Sequence, residues 1–356
     1  MTRPILARIN AQAFRHNYLL ARSRAPQARA LAIVKANAYG HGLLACAEAV
    51  RDVADGFGLL EIGEAMQLRQ AGFTQPIVML EGFFGEADLL MASEAGVRVA
   101  LHSEAQLALL EITGLPRPLN VFIKLNTGMQ RLGFVPALLP QLLARLRALG
   151  GKIGEAGLMT HFACADGAGI ASQLAQFNRA RAGQGLDCSA ANSAALLRNP
   201  EAHFDWVRPG IMLYGGSPMP ELQSADSIGL RPVMSLYSRI IGVQSLQPGD
   251  AVGYGGLFVA DRPMRIATVA CGYADGYPRH AGTGTPILVN GQRTRTLGRV
   301  SMDMLSCDIT GLDADVGSLV TLWGEGLPAD EVAAAAGTVS YEIFCALAPR
   351  VPVVSG

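Results

Sequence analysis

The chain has 356 residues, of which 50% are hydrophobic and only 16% charged, a balance that excludes a disordered protein and leaves material for a large core, enough for two domains. Its 29 basic and 29 acidic side chains cancel, so no electrostatic footprint for nucleic acid or an anionic membrane is present and a small-molecule partner is the default. The six cysteines lie far apart with no CxxC pair and no zinc spacing, which reads as buried free thiols and no metal site.

The N-terminus, MTRPILARINAQAFRHN, breaks its apolar residues with arginines and lacks a signal-peptide core. No later run reaches the ~18 apolar residues of a membrane span, so the expectation is a cytoplasmic protein. After a short opening run at 4–9, Asn10 is placed to cap a helix with Phe14, Tyr18 and Ala21 on one face, ending before Pro26. Apolar, strand-like runs then recur at 31–34, 56–60, 76–80, 97–101, 120–125, 156–161, 187–190 and 205–208.

Between these runs lie helix-period segments, among them 62–69, 105–110, 138–149 and 174–181. Eight strand and helix units in about 200 residues read as a (β/α)₈ TIM barrel, with a doubly wound sheet as the structural alternative. The segment 215–231, with two prolines and little periodicity, reads as a linker. Short strands with tight turns follow at 233–243, 265–271, 285–289 and 318–322, with Asn290-Gly291 as a hairpin signal and a short alanine-rich helix at 330–336. The expected organisation is a barrel over 10–225 and a mostly β C-terminal domain over 226–356, joined by about 1–9.

A barrel carries its chemistry on the rim at the carboxyl ends of its strands. Lys35, Lys124, His161, Asn192 and Arg208 all fall at such ends. A lysine there can stand in a pocket, shift its pKa and form a Schiff base with an aldehyde. Asn192-Ser193 follows the seventh run and Gly210-Ile211 the eighth, where barrels commonly bind phosphate. On residue type alone, however, Lys35 and Arg131 read as surface charges, Ser193 as a helix cap, Tyr254 as a packed aromatic, Met302 as core filler and Asp303 as a turn residue.

The string VKANAYGHG, 34–42, resembles the cofactor-attachment motif of the alanine racemases. That resemblance implies that Lys35 carries pyridoxal 5′-phosphate and that Tyr39 touches its phosphate. WVRPGIMLYG, 206–215, is similar to the family's ring-nitrogen segment, so Arg208 would donate a hydrogen bond without giving up its proton and leave the pyridine nitrogen unprotonated. Removing a proton from one face of the substrate and returning one to the other requires two bases. Lys35 supplies one, and VGYGG, 252–256, resembles the family's catalytic-tyrosine motif and makes Tyr254 the other. A tyrosine, with a reference pKa of ~10, needs help to act as a base, and His161 and Arg208 match the family positions for that relay.

In the family this tyrosine comes from the other subunit, which implies a homodimer. IKLNTGMQRLGF, 123–134, implies that Arg131 binds the substrate carboxylate, with Lys124 where several relatives carry a carbamylated lysine. GYADGYPR (272–279) and GRVSMDM (298–304) imply Tyr273, Met302 and Asp303 at the entrance and substrate pocket, and SYEIFC (340–345) puts Tyr341 on the phosphate. Phe258 departs from the pattern where many relatives have a second tyrosine, giving a slightly more apolar entrance.

The resemblance spans nearly the whole chain and implies an alanine racemase that interconverts L- and D-alanine for peptidoglycan synthesis or alanine breakdown. The alternatives are a racemase of broader specificity acting on serine or larger amino acids, a decarboxylase of the same fold, and a non-catalytic pyridoxal-phosphate carrier on the same barrel. A carrier has no use for the second domain or for Tyr254.

Overall fold

A computed structural model describes residues 3–356. The chain divides into two compact units, one formed by Arg15–Ala38 and Gly42–Leu213, the other by the described residues up to Phe14, by Tyr39–His41 and by Tyr214–Gly356. Strand β1 (Leu6–Ile9) belongs to the second unit. The next eight strands close the first unit into a parallel barrel: β2 (Arg29–Ile33), β3 (Gly56–Leu59), β4 (Ile77–Met79), β5 (Arg98–Leu101), β6 (Leu119–Lys124), β7 (Ile153–Met159), β8 (Asp187–Ser189) and β9 (Trp206–Val207). The TIM barrel expected from the eight apolar runs is therefore the fold, and the doubly wound alternative falls because β9 pairs back onto β2.

Continuous apolar runs form these strands because most of their residues are buried on both faces. Inside the ring, large side chains pack against glycines. A Cβ on Gly58 would stand 2.5 Å from Ile33 Cδ1, and one on Gly157 would stand 2.6 Å from the Phe122 ring. The two ends differ in chemistry. At the amino ends Arg29 pairs with Asp187, and Arg98 with Glu155, ion pairs that each reach across one intervening strand. The carboxyl ends carry the polar residues singled out from the sequence.

The helix expected after Asn10 runs over Ala11–Arg24, and Asn10 Oδ1 accepts the Ala13 amide at 2.9 Å. In the second unit the long strand β10 (Met234–Leu246) is the spine. Its first half pairs with β1 and its second half with β13, across a register shift between Ile240 and Gly242. The remaining strands are β11 (Ala251–Val252), β12 (Phe258–Val259), β13 (Met264–Val269), β14 (Pro286–Val289), β15 (Gln292–Leu297), β16 (Leu305–Asp308), β17 (Leu319–Trp323) and β18 (Val353–Ser355). Among the described residues they form an eight-stranded sheet in the order β13-β16-β15-β14-β17-β10-β1-β18, plus the small ribbon β11-β12.

Several of these strands carry no sequence signal. β15, with the sequence QRTRTL, is polar along nearly its whole length, and β16, with LSCD, alternates over only four residues, too few to stand out, so the ladder of partners makes them strands. The stretch 215–231 is not the loose linker its composition suggested. Ser217 is buried and its amide donates to Asp330 Oδ2 at 2.8 Å, Val233 N donates to Tyr214 O, and Ala225–Ile228 forms a short helix capped by Ser224.

Candidate active site

The barrel rim is built from what each strand leaves at its carboxyl end. Lys35 follows β2 closely and is half-buried. The four residues after it, Ala36, Asn37, Ala38 and Tyr39, all take φ values of 52–53°, a single left-handed turn made without glycine. Each L-residue there costs roughly 1–2 kcal/mol, least for asparagine, so the turn persists only where its surroundings over-determine it. Gly40 and Gly42 continue with positive φ, and a Cβ on Gly40 would stand 2.4 Å from Phe344 O. The glycines read as a turn from the sequence, but nothing in Ala-Asn-Ala-Tyr announces a left-handed helical turn.

Arg208 follows β9 and is 4% exposed. Its Nη1 donates to Ser189 Oγ at 2.6 Å, and its Nη2 donates to Thr160 O at 2.7 Å and to Ala190 O at 3.0 Å. Nη2 also faces His161 Nδ1 at 3.3 Å. Burial brings the Arg208 pKa down to about 10, which still leaves the guanidinium charged at neutral pH. His161 is held well below its ordinary value, first by burial and then by Arg208, Arg131, Lys124 and Lys35. It is therefore neutral, and Nδ1 facing a guanidinium is its acceptor nitrogen, which leaves the proton on Nε2. Ser189 and Thr160, which aim the guanidinium, had no signal in the sequence.

Lys124 ends β6 and is buried, with Nζ donating to Leu80 O at 3.1 Å. Burial, then Arg208 and Arg131, bring its pKa down to about 8, against an opposing pull from Glu81. Near neutral pH about a tenth of this amine is thus neutral and nucleophilic, far more than for an ordinary lysine. Arg131 and His161 line one pocket with Lys124, Leu125, Asn126, Thr127, Met129 and Leu132. The barrel therefore gathers Lys35, Lys124, Arg131, His161 and Arg208 within electrostatic reach of one another.

Asn192 caps the short helix Ser193–Arg198, its Oδ1 accepting the Ala195 amide at 3.0 Å. Ser193 Oγ accepts the Gly210 amide at 2.8 Å, so the turns after β8 and β9 are tied together where Ile211 opens a 3₁₀ turn. Ser193 is thus more than a cap residue: its hydroxyl joins two rim loops.

In the second unit Tyr39 stacks on Tyr214 with ring centroids 4.5 Å apart and lies 6.0 Å from the Tyr341 ring. Burial raises the Tyr39 pKa, so its phenol stays protonated. Tyr254 sits between β11 and β12 in a loop where Gly253, Gly255 and Gly256 all have positive φ, a backbone that other residues adopt only under strain. The loop's roots are anchored because Val252 lies in an apolar cluster with Ala260, Met264, Ile266 and Leu297, with Phe258 packed against it. Tyr254 itself is 73% exposed.

The loops 272–279 and 298–304 are laced together. Tyr273 N donates to Ser301 O at 3.1 Å and Ala274 N to Met302 O at 2.9 Å. Asp275, fully buried, accepts from Gly272 N and from Arg3 Nη2 and binds Arg350 Nε at 2.8 Å, while Arg350 Nη2 donates to Asp303 Oδ1 at 2.7 Å. Asp303, expected in the substrate pocket, therefore has its carboxylate paired with Arg350. Arg3, Asp275 and Arg350 had not been singled out, since nothing local in the sequence links a chain terminus to residue 275.

All six cysteines are free, and among the described residues no group of three or more His, Cys, Asp or Glu side chains is placed to hold a metal, and no helix is long and apolar enough to cross a membrane. The family model described as alanine racemase, N-terminal domain, matches residues 9–218, and that of the C-terminal domain matches 233–355. The chain is 52% identical over 360 residues to the alanine racemase of Nitrosospira multiformis, covering 100% of each chain. It is also 52% identical to that of Ralstonia pickettii, covering 99% of this chain and 96% of that one. Among solved structures it is similar to the biosynthetic alanine racemase from Pseudomonas aeruginosa, with a TM-score of 0.97, 45% identity and 100% of both chains covered. The alanine racemase from Bartonella henselae with covalently bound pyridoxal phosphate matches with a TM-score of 0.88 and 28% identity over 99% of each chain.

Proposed function

The chain belongs to the alanine racemase family, and on that footing we propose that it interconverts L- and D-alanine with pyridoxal 5′-phosphate carried on Lys35. The observation that carries the reading is the pairing, on one barrel rim, of the Lys35 amine with a buried guanidinium, Arg208, that keeps its proton. The donor set fits the cofactor: an amine for its aldehyde, Arg208 for its ring nitrogen, and the joined Asn192-Ser193 and Gly210-Ile211 turns for its phosphate. Tyr39 and Tyr341 complete the phosphate contacts by their match to the family pattern.

When bound, the cofactor withdraws charge from the substrate's α-carbon and so eases loss of its proton. Arg208 has Nη1 and Nη2 engaged by Ser189, Thr160, Ala190 and His161, and Nε–H is the donor outside that set. Because a guanidinium donates but does not release its proton, Arg208 would hold the ring nitrogen by a hydrogen bond without protonating it, a placement that would limit charge withdrawal and favour rapid return of the α-proton. Lys35 Nζ takes or returns that proton on one face. Tyr254 Oη does so on the other, with neutral His161 and Arg208 as its relay.

In this reading Tyr254 comes from a second protomer of a homodimer. The exposure of Tyr254, Leu257, Tyr273, Met302 and Met304 in the second unit supports such an interface. Arg131 holds the substrate carboxylate, and Met302, Asp303 and Tyr273 bound its pocket and entrance. Lys124 is the candidate for carbamylation, and its lowered pKa supplies the neutral amine that carbon dioxide requires. The D-alanine made serves peptidoglycan, or the reverse reaction feeds alanine breakdown.

The test is optical. Purified protein with cofactor and L-alanine loses optical rotation until none is left, and Lys35→Ala abolishes the change. Unchanged rotation with a cofactor-loaded protein overturns the assignment.

A further inference from the structure

The left-handed turn after Lys35 needs an anchor outside itself, because its opening amides have no partner within it. The far end is closed by Asn37. Gly42 N donates to Asn37 O at 3.0 Å, and Asn37 Oδ1 accepts the Leu43 amide at 2.8 Å. Ala38 N reaches back to Val34 O at 2.9 Å. The Asn37 amide instead crosses to another element. It donates to Glu64 Oε1 at 2.7 Å, from a carboxylate on the helix Ile62–Gln70 that follows the neighbouring strand β3. The other oxygen, Glu64 Oε2, is buried with no hydrogen-bond partner among the described residues. Burial raises the Glu64 pKa while the amides of Asn37 and Ala36 pull it down. Among the described residues no cation pairs with Glu64, so this half-buried carboxylate depends on those amides.

We propose that Glu64 is a positioning residue: by gripping the Asn37 amide it locks the left-handed turn and so fixes the direction in which Lys35 leaves strand β2. The inference rests on Lys35 being the cofactor-bearing amine. Lys35 must meet the cofactor aldehyde and later the substrate's α-proton from one side, and a turn that relaxes toward ordinary dihedrals rotates the lysine's attachment point away from both.

The experiment uses the holoenzyme. In Glu64→Ala, kcat falls at least tenfold with KM changed less than threefold, cofactor is lost faster on dialysis, and hydrogen exchange rises at amides 36–39 while the barrel strands keep wild-type protection. Glu64→Gln, which keeps one acceptor oxygen and the side-chain shape, gives an intermediate loss. Adding Ala36→Gly to Glu64→Ala restores part of kcat, because glycine takes positive φ without strain. A Glu64→Ala protein with wild-type kcat and exchange overturns the proposal, as does failure of Ala36→Gly to recover any activity in a folded double variant. Borohydride reduction and peptide mapping of the wild type check the premise separately. A pyridoxyl label away from Lys35 overturns the premise and the inference together, whereas a label on Lys35 with an unaffected Glu64→Ala removes only the role of Glu64.

Discussion

Arg208 Nη2 stands 3.3 Å from Nδ1 of His161, so a guanidinium that keeps its charge faces the bare nitrogen of an imidazole. The contact fixes which nitrogen of His161 carries hydrogen, and it makes protonation of the ring unfavourable, since a second cation would be buried beside the first.

A pH dependence follows. His161 is held well below its ordinary value near 6.5, so between that value and its folded pKa the unfolded chain binds a proton that the folded one refuses. Stability is therefore lost as pH falls below about 6.5, by an increment that His161→Gln lacks. Denaturant unfolding at pH 5 and pH 8 for both proteins measures it; an equal acid loss in His161→Gln would show that other groups govern this limb.

Lys124 gives a second window. With its pKa brought down to about 8, the folded state binds fewer protons than the unfolded one between pH 8 and the ordinary lysine value of 10.5. Stability contributed by this residue rises with pH across that window and is least below it. In buffer freed of carbon dioxide, Lys124→Met is more stable than wild type at pH 7 and lacks the rise. Carbon-13 bicarbonate adds a test of carbamylation: a carbamate carbon resonance is expected in wild type and absent in Lys124→Met.

Asp275 is the hinge of a four-residue ion network that shapes the loop bearing Met302 and Asp303. Its carboxylate is fully buried between Arg3 and Arg350, whose own side chains reach solvent, so Asp275→Asn removes two charge-assisted hydrogen bonds without burying a lone charge and is expected to lower the denaturant midpoint of unfolding. Arg350→Met leaves Asp275 paired with Arg3 and loosens Asp303, whose carboxylate keeps only its 4.0 Å contact with Arg3, so KM for alanine is expected to rise several-fold with a smaller change in kcat. A change confined to thermal stability, with KM unaltered, would assign the network to folding alone.

Composite sites predict complementation. If Lys35 and Tyr254 act together from different protomers, Lys35→Ala and Tyr254→Phe subunits, each inactive alone, form heterodimers with one intact site. Random mixing then restores about a quarter of wild-type activity. No recovery after subunit exchange, verified by native mass spectrometry, would place both bases in one chain.

The eight barrel strands were legible in the sequence because most of their residues are buried on both faces, and continuous apolar runs record that directly. So were Lys35, His161 and Arg208 as rim residues, since a polar group at the end of such a run has few other places to stand. The short motifs likewise kept their spacing, because each lies within a single loop. The polar strand β15 and the four-residue β16 were not legible, because their identity comes from the hydrogen-bond ladder rather than from a side-chain pattern long enough to read.

By itself the sequence determined the barrel, its rim chemistry and the family. Only the tertiary structure decided that Ala36–Tyr39 winds left-handed, that Glu64 grips it, and that Arg3 meets Asp275 across 272 positions of chain. The reason is physical: local pattern records how each element is buried, whereas a strained turn or a long-range ion pair exists only once distant elements have closed around it.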